Sequence, residues 1–316
     1  MRGRVGSPKL GIFEENSHRV VHIPRCLVHH PLINETAEVV RRALVTHRVP
    51  PYSDTAHAGV ARYLAVAVER ASQTAQVVLV MNSPPSADFA PLFETIRREL
   101  GERLHSLWHN TQTERTNTIL GAAYEHVSGP EATVEALGQA RVFYPPGAFG
   151  QSNLELFGEL VELVHELVPS GASVLELYAG SGAIGLGLLA RAERVVMNEI
   201  APQSLRGLEL GLAALPGSLS ERARVAPGPA AQALEWLRGA DVVIADPPRK
   251  GLDDAVVKAI VERRPDRFVY VSCGLSSFLS QASLLVQSGF SLERLVVFEL
   301  FPFSEHVEVV ASFAPR

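Results

Sequence analysis

The sequence has few cysteines and no long apolar run. Its 316 residues include two cysteines, too few for the disulfide framework of a small secreted domain, so we expect a reduced, cytoplasmic protein. The longest uncharged apolar run, residues 177–190, has 14 residues, whereas a transmembrane helix needs roughly 18. Residues 1–16 lack the apolar stretch of a secretory signal. These absences predict a protein that is neither secreted nor attached to a membrane.

Basic charge is also scarce across most of the chain. The formal net charge is −5, which excludes a protein that binds nucleic acid through a basic surface along its whole length. Residues 1–50 differ from the rest, with eight basic and four acidic side chains. This segment either contacts phosphate groups or is an ordinary solvated face, and its composition leaves both open. The 47% hydrophobic content excludes bulk disorder.

Two different patterns meet at a seam over residues 143–153, where the sequence FYPPGAFGQSN is rich in proline and glycine. Before the seam, strand-like runs are interrupted by two helical stretches, residues 33–45 and 90–104. This pattern predicts a smaller N-terminal α+β domain at residues 1–145 with a mainly antiparallel sheet. A second domain at residues 146–316 then has the usual domain size.

After the seam, apolar strands alternate with helices. The expected strands are SVLELYA, RVVMNE, DVVIAD and FVYVSC, and the helices around them are expected at residues 154–167, 183–190, 202–212, 255–263 and 277–288. Such alternation predicts an α/β fold with a doubly wound, mostly parallel, Rossmann-like sheet. Two late strands, LERLVVFELF and EHVEVVASF, predict an antiparallel hairpin that closes the sheet. Sheets of this kind bind ligands at the carboxyl ends of their strands.

A glycine-rich loop follows the first of these strands. Residues 180–185, GSGAIG, fit the pattern G-x-G-x-x-G, in which glycines permit a sharp turn and a close approach of a ligand. The next strand ends at Glu199, whose carboxylate can accept hydrogen bonds from ribose hydroxyls. The loop alone leaves a dinucleotide, S-adenosylmethionine or a turn without ligand open. Glu176 favours S-adenosylmethionine, because a carboxylate suits an amino acid ammonium better than a pyrophosphate.

A later strand, DVVIAD, ends at Asp246 in the sequence DPPRKG. The prolines fix φ and end the strand, so the turn places a carboxylate at the edge of the sheet. Methyltransferases that modify planar nitrogen rings use such turns to hold the target base. Arg249 and Lys250 add positive charge where a phosphate could bind. The alternative is that Asp246 only caps the following helix.

Two further side chains suggest chemistry near the end of the chain. Cys273 ends the strand FVYVSC beside the expected position of Asp246, whereas Cys26 has no such placement and is interpreted as an apolar filler. Glu308 interrupts an apolar terminal strand, where a carboxylate needs a partner or a function. Its neighbour Glu305 is expected to face solvent.

These motifs occur in one order: QSN at the seam, then LELYAGSG, DPPRKGL, VSC and FPFSEHVE. With them, the chain resembles the family of S-adenosylmethionine-dependent RNA uracil-5-methyltransferases, which act on tRNA and on 23S rRNA. The specific motifs cover residues 149–316, and a weaker likeness extends back through HNTQTERTNTILG and IPRCLVHHPLIN. The combination of DPPRKGL, VSC and HVE is specific to this family.

The resemblance implies roles for individual residues. Cys273 corresponds to the nucleophile and Glu308 to the base. The S-adenosylmethionine and base pocket corresponds to Gln151, Tyr178, Gly180, Glu199 and Asp246. The implied cofactor is S-adenosylmethionine and the implied partner is RNA, for which the segment SHRVVHIPRC favours 23S rRNA over tRNA. We further expect a monomer in which residues 1–145 contact the RNA.

The chain also departs from the family pattern. Its cysteine is followed by residues 274–277, GLSS, where the family has Asn-Pro-x-Thr, and Ala183 replaces a loop asparagine. The sequence VAPGPAAQ lacks the acidic adenine contact of the third strand. Many members begin with a small RNA-binding barrel and carry four cysteines for an iron–sulfur cluster. Here only Cys26 matches one of these four cysteines, so we expect neither an iron–sulfur cluster nor another metal site. The chain is then either a member that lost the cluster or a truncated form.

Three other functions stay open at this point. An amino-methyltransferase acting on adenine or guanine would use the DPP turn without Cys273. A catalytically weakened RNA-binding relative would account for the altered residues after Cys273. A nicotinamide dehydrogenase would use the glycine loop but would leave DPPRKG and FPFSEHVE unexplained.

Overall fold

A computed structural model of the chain describes residues 1–15, 17, 19–84, 88–301 and 304–316. The chain divides into two units, Met1–Glu135 and Ala136–Arg316. Within the described ranges, every helix is too short or too polar to cross a lipid bilayer.

The first unit contains a four-stranded sheet, two helices and two hairpins of short strands. Its elements are β1 (Arg2–Arg4), β2 (Ser7–Lys9), β3 (Gly11–Phe13), β4 (Val20–His22), α1 (Pro31–Thr46), β5 (Ala61–Glu69), β6 (Thr74–Met81), α2 (Ala90–Leu100), a 3₁₀ turn (Gly101–Arg103), β7 (Leu104–Thr111) and β8 (Ala123–Ser128), followed by β9 (Thr133–Leu137), which crosses into the second unit. Residues 11–16, GIFEEN, are one of the strand-like runs before the seam. Strand β3 covers the first three of them, and Asn16 lies outside the described residues.

The four-stranded sheet has the order β5-β6-β7-β8. Its outer pairs are antiparallel, whereas β6 and β7 are parallel because α2 connects them. The mainly antiparallel sheet is thus confirmed. The helix predicted over residues 90–104 ends at Leu100, since Gly101 adopts a left-handed φ of 54°. Both helices pack on one face of the sheet, where Val77 and Leu79 are fully buried.

The second unit contains the large sheet and its covering helices. Its elements are β10 (Ala140–Tyr144), α3 (Leu154–Leu167), β11 (Ser173–Leu177), α4 (Gly185–Leu188), β12 (Arg194–Glu199), α5 (Pro202–Ala213), α6 (Gly217–Ser220), β13 (Ala223–Pro227), a 3₁₀ helix (Ala230–Gly239), β14 (Val242–Ala245), α7 (Asp254–Arg263), β15 (Arg267–Ser272), α8 (Leu275–Gln287), β16 (Phe290–Phe298) and β17 (Glu308–Pro315).

The large sheet has seven strands in the order β13-β12-β11-β14-β15-β17-β16. The first five are parallel, and β17 runs antiparallel between β15 and β16. Alternate side chains face two separate cores: Val242 and Ile244 belong to one, Val243 and Ala245 to the other. The predicted doubly wound, mostly parallel sheet and its closing hairpin are confirmed.

The hairpin of β9 and β10 explains where the second unit begins. Leu137, Val142 and Tyr144 are buried in the same core as α3, so this hairpin belongs to the larger sheet's core although it precedes the seam. The sequence-based boundary at 145/146 lies ten residues after the end of the first unit at Glu135.

Candidate active site

The topology brings the ends of four strands to one edge of the sheet. In the strand register, Leu177 lies beside Ala245, Ala245 beside Tyr270, and Ser272 opposite Val309. The strands β11, β14 and β15 end at this edge, and β17 begins there. The residues that come next along the chain therefore meet at the carboxyl edge, as expected for a ligand site in a doubly wound sheet.

Cys273, Glu308 and Asp246 are the residues that this register places together. Burial raises the pKa of the Cys273 thiol, and the nearby carboxyls of Glu308 and Asp246 raise it further. Burial also raises the pKa of Glu308 to about 7, and burial together with Glu308 raises the pKa of Asp246 to about 8. At neutral pH the cluster consequently retains protons, and its carboxyls titrate close to the pH at which a general base works.

Gln151 joins this cluster from the seam between the hairpin and α3. Its side chain hydrogen-bonds to the Glu308 carboxyl and lowers its pKa, which partly offsets the effect of burial. The Oε1 atom of Gln151 is buried and has no hydrogen-bond partner among the described residues. An orphaned acceptor beside Glu308 is suited to receive a donor from a ligand.

The glycine loop forms the other half of the edge. Tyr178 and Gly180 have left-handed φ values of 61° and 58°, so the chain turns sharply after β11. The Gly180 N–H donates to Glu199 Oε2 at 2.8 Å, and the N–H groups of Ile200 and Ala201 both donate to Oε1 at 2.7 Å. Three backbone donors thus fix the Glu199 carboxylate. Apart from its two chain neighbours, no described residue has an atom within 4 Å of the position that a Cβ on Gly180 would take, so this side of the loop is open.

Glu176 lies beneath the loop, between the two halves of the edge. It is 2% exposed, and burial, followed by the charges of Asp246 and Glu199, raises its pKa well above the usual range. Its Oε2 atom has no hydrogen-bond partner within the described part of the chain. A Cβ on Gly185 would lie 2.2 Å from this oxygen, so the close approach requires glycine at that position.

Gln281, which the sequence analysis missed, helps to hold the Asp-Pro-Pro turn in place. Gln281 donates to the Leu252 carbonyl at 2.8 Å and accepts from the Leu252 N–H at 3.1 Å and from the Tyr270 hydroxyl at 2.5 Å. Tyr178, whose pKa burial raises to about 12, donates from its hydroxyl to Asp253 at 3.4 Å. The turn is therefore tied both to α8 and to the glycine loop.

A second missed residue, Asn198, shapes the end of β12. Its amide donates to the carbonyls of Ala226 and Gly228, at 2.8 and 2.9 Å. It thereby holds the chain that follows β13 beside Glu199. The sequence could have pointed to Asn198, because it is a polar residue in an otherwise apolar strand, which is the pattern that drew attention to Glu176.

The resemblance also implies an aromatic side chain beside Gln151; Phe149, at that position, is 70% exposed. Cys26 is a free thiol in the first unit. Glu305 is exposed, as predicted. Pro302 and Phe303 of the FPFSEHVE motif lie outside the described residues. In the part of the chain that is described, no three His, Cys, Asp or Glu side chains form a group that could hold a metal ion; the expected lack of an iron–sulfur cluster stays a prediction.

Comparisons with known proteins identify the family. A family model described as tRNA (Uracil-5-)-methyltransferase matches residues 237–313. An uncharacterized RNA methyltransferase of Protochlamydia amoebophila is 35% identical over 319 residues, covering 99% of this chain and 83% of that protein. One from Halalkalibacterium halodurans is 28% identical and covers 96% of this chain, which spans 66% of that relative's length.

Among solved structures, the Pyrococcus abyssi tRNA (uracil-54, C5)-methyltransferase in complex with S-adenosyl-L-homocysteine superposes with a TM-score of 0.78. It is 23% identical, and the match covers 96% of this chain and 72% of that one, which establishes the shared fold. With the family model and the Protochlamydia relative, the conclusion is direct: this chain belongs to the family of S-adenosylmethionine-dependent RNA uracil-5-methyltransferases.

Proposed function

We propose that the protein forms 5-methyluridine in RNA through a covalent adduct between Cys273 and C6 of uracil, with Glu308 as the base. The supporting observation is the placement of these two residues at the facing ends of β15 and β17, in the register that pairs Ser272 with Val309. Asp246 lies at the same edge, where its carboxyl raises the pKa of Cys273 and Glu308 raises the pKa of Asp246.

The reaction needs this combination because C5 of uracil is a poor carbon nucleophile. Addition of the Cys273 thiolate to C6 pushes the electron pair of the C5=C6 bond onto C5, as an enolate carbon. Bound S-adenosylmethionine supplies the electrophilic methyl group. The Glu308 carboxylate then takes the C5 proton, the double bond reforms, and the Cys273 thiolate leaves. Asp246 is placed to hydrogen-bond the uracil edge.

The residues of the glycine loop fit the methyl donor. The open side of Gly180 lets a ligand approach the backbone, and Glu199 is held with lone pairs to spare, since three donors occupy about four acceptor sites. Glu176 offers an unpartnered buried oxygen below the loop. We assign the adenosine end to Glu199, and cofactor contacts to Gln151, Tyr178, Gly180 and Asp246.

The substrate is proposed to be a uridine splayed out of its stack, because a stacked base could not reach a partly buried thiol at the edge of a sheet. We place 23S rRNA ahead of tRNA on the likeness of SHRVVHIPRC to rRNA-modifying members, with residues 1–145 contacting the RNA. Both cysteines are free thiols, in keeping with a reducing cytoplasm, and we propose that the protein acts there as a monomer.

Mass mapping of 5-methyluridine in total RNA from a deletion strain tests this function. Loss of one 5-methyluridine from 23S rRNA, restored by the intact gene, is expected. Loss from tRNA instead would keep the reaction and change the substrate. Unchanged 5-methyluridine in both RNAs, together with inactive purified protein, would contradict the proposal.

A catalytically weakened relative is the second candidate, favoured by the altered residues after the nucleophile. The hydrogen bonds of Ser277, which stands at the position of the family's threonine, argue against this candidate. Its hydroxyl lies within hydrogen-bonding distance of the Arg249 carbonyl, at 3.0 Å, and of the Gly274 carbonyl, at 2.8 Å, so the altered turn after Cys273 is still held in place. Multiple-turnover methylation of substrate RNA by the purified protein would exclude this candidate, and RNA binding without methylation would establish it.

A further inference from the structure

The loop between β7 and β8 is held from inside by a buried arginine. Arg62, in β5, is 0% exposed, and its guanidinium carbon lies 4.3 Å from the centre of the Tyr52 ring. It donates from Nη1 to the carbonyls of Gln112 and Glu114, at 2.7 and 2.8 Å, and from Nη2 to that of Thr116, at 3.4 Å. Its Nε has no hydrogen-bond partner among the described residues. Because burying a guanidinium costs free energy, this arrangement is better explained by a required loop shape than by stability.

The hydrogen bonds of the loop fix the direction of its peptide groups. Gln112, which is 3% exposed, donates from Nε2 to the Thr118 carbonyl at 3.1 Å. The carbonyls of residues 112, 114, 116 and 118 therefore all point into the protein. No peptide bond of the described chain is cis, and in a trans peptide the N–H of the next residue points away from the carbonyl. The N–H groups of residues 113, 115, 117 and 119 thus point outward.

These outward groups are not used by the part of the protein that the structure describes. Thr113, Arg115, Asn117 and Ile119 are exposed, and neither their N–H nor their C=O groups form a hydrogen bond with a described residue. The Arg115 guanidinium likewise has no partner within the described ranges. Glu114 is the one acid of residues 111–121, so the two side-chain charges cancel and the backbone donors make the loop suited to an anion.

From this arrangement we infer that residues 113–119 bind the sugar–phosphate backbone of the substrate RNA, and that Arg62 fixes the loop in the shape that presents these groups. Outward N–H groups and an arginine are donors for phosphate oxygens, and outward carbonyls can accept from ribose 2′-hydroxyls. The inference rests on the proposed RNA substrate and locates part of the RNA contact proposed for residues 1–145. It also gives a function to the motif HNTQTERTNTILG, which contains the loop.

The test measures the affinity of the full chain for a fluorescein-labelled single-stranded RNA of about 12 nucleotides, by fluorescence anisotropy without S-adenosylmethionine. Asn117→Pro removes one outward N–H, whereas the matched Asn117→Ala removes the side chain and keeps that N–H. The proline variant should bind roughly three- to tenfold more weakly than the alanine variant, since it lacks one hydrogen bond to phosphate. Thr113→Pro and Thr113→Ala repeat the comparison at the start of the loop.

Side-chain variants test the charge and the shape of the loop. Arg115→Gln should weaken binding roughly three- to fivefold and lower the salt dependence by about one phosphate contact, and Glu114→Gln should strengthen binding. Arg62→Met, which keeps a buried stem but releases the three carbonyls, should weaken binding at least as much as Asn117→Pro. Arg98→Gln removes an exposed charge on α2 and is the control, with an affinity within about twofold of the parent.

The outcomes separate this inference from the proposed function. Equal affinities of the proline and alanine variants at both positions, with thermal unfolding like that of the parent, would overturn the inference, and so would an unchanged affinity of Arg115→Gln. A protein whose RNA binding depends on the loop but which leaves uridine unmodified would contradict the proposed function alone.

Discussion

Glu199 and Glu308 are both nearly buried, with 9% and 3% of their surface exposed, at the same edge of one sheet, yet their surroundings differ. Three backbone N–H groups fix the Glu199 carboxylate. Glu308 has a side-chain hydrogen bond from Gln151, and its pKa is raised to about 7. Backbone donors occupy the oxygens of Glu199, whereas the sparsely solvated Glu308 carboxyl gains and loses a proton near neutral pH. On the roles proposed above, the edge is divided into a binding half around Glu199 and a reacting half around Cys273 and Glu308.

The largest effect is expected in the reacting half. Cys273→Ala should lower methylation by at least about 10³-fold, because no other side chain can form the covalent bond to C6. Calorimetry with S-adenosylhomocysteine should show affinity unchanged, since Cys273 is not assigned to the cofactor. Residual methylation within tenfold of the parent would show that the reaction does not depend on Cys273 and would contradict the proposed division into a binding half and a reacting half.

The next effect concerns the base. Glu308→Gln should lower turnover by about 10²–10⁴-fold, the usual contribution of a positioned general base. In the parent enzyme, turnover should rise with pH through about 7, since the carboxylate is the active form and Glu308 has a pKa of about 7. Single-turnover rates over a pH series provide the measurement. A turnover that falls over this interval would show that the protonated carboxyl is the active form.

Substitution in the binding half should lower the affinity for the cofactor. Glu199→Ala should weaken S-adenosylhomocysteine binding by about 1–3 kcal/mol, the value of hydrogen bonds to a charged group. Glu262→Ala, which removes an exposed carboxylate on α7, is the control. Calorimetry that gives equal affinities for both variants would remove Glu199 from the cofactor site, and NADH binding without S-adenosylhomocysteine binding would exclude the assigned cofactor.

The last effect, on stability, appears only at high pH. Asp246 has a pKa of about 8 in the folded protein, above its value of 3.8 in an unfolded chain, so the folded state binds more protons between these values. Stability therefore falls as pH rises from about 4 to 8. Asp246→Asn should raise the free energy of unfolding by about 1–3 kcal/mol above pH 8, a range discounted because Asp246 is partly exposed, and change little near pH 4. Urea titrations at both pH values check this, and destabilisation at high pH would contradict it.

Much of this arrangement could be predicted from the sequence. The apolar strands, the glycine loop and the strand-end positions of Asp246 and Cys273 are local patterns, and a parallel sheet brings strand ends together. The helix expected at residues 183–190 is confined to α4, however, because Gly185 and Gly187 weaken it.

Contacts between residues that are far apart in the chain could not be predicted from the sequence patterns. Gln281 supports a turn 29 residues earlier in the chain, at Leu252, and no periodicity marks it. Strand β7 has the polar sequence LHSLWHNT, yet His109 and Asn110 are buried there, so alternation did not reveal a strand. Arg249 and Lys250 are adjacent cations in the sequence, and the ion pair of Lys250 with Asp253 becomes visible only in the folded chain.

Trapping with RNA that contains 5-fluorouridine tests the covalent reaction most directly. Fluorine at C5 cannot leave as a proton, so after methyl transfer the Cys273 adduct should persist and migrate as a protein–RNA band in a denaturing gel. The band should require S-adenosylmethionine, disappear in Cys273→Ala, and form with unfluorinated RNA in Glu308→Gln. Methylation of fluorinated RNA by the parent enzyme without a trapped band, or methyl transfer to adenine or guanine, would contradict the account.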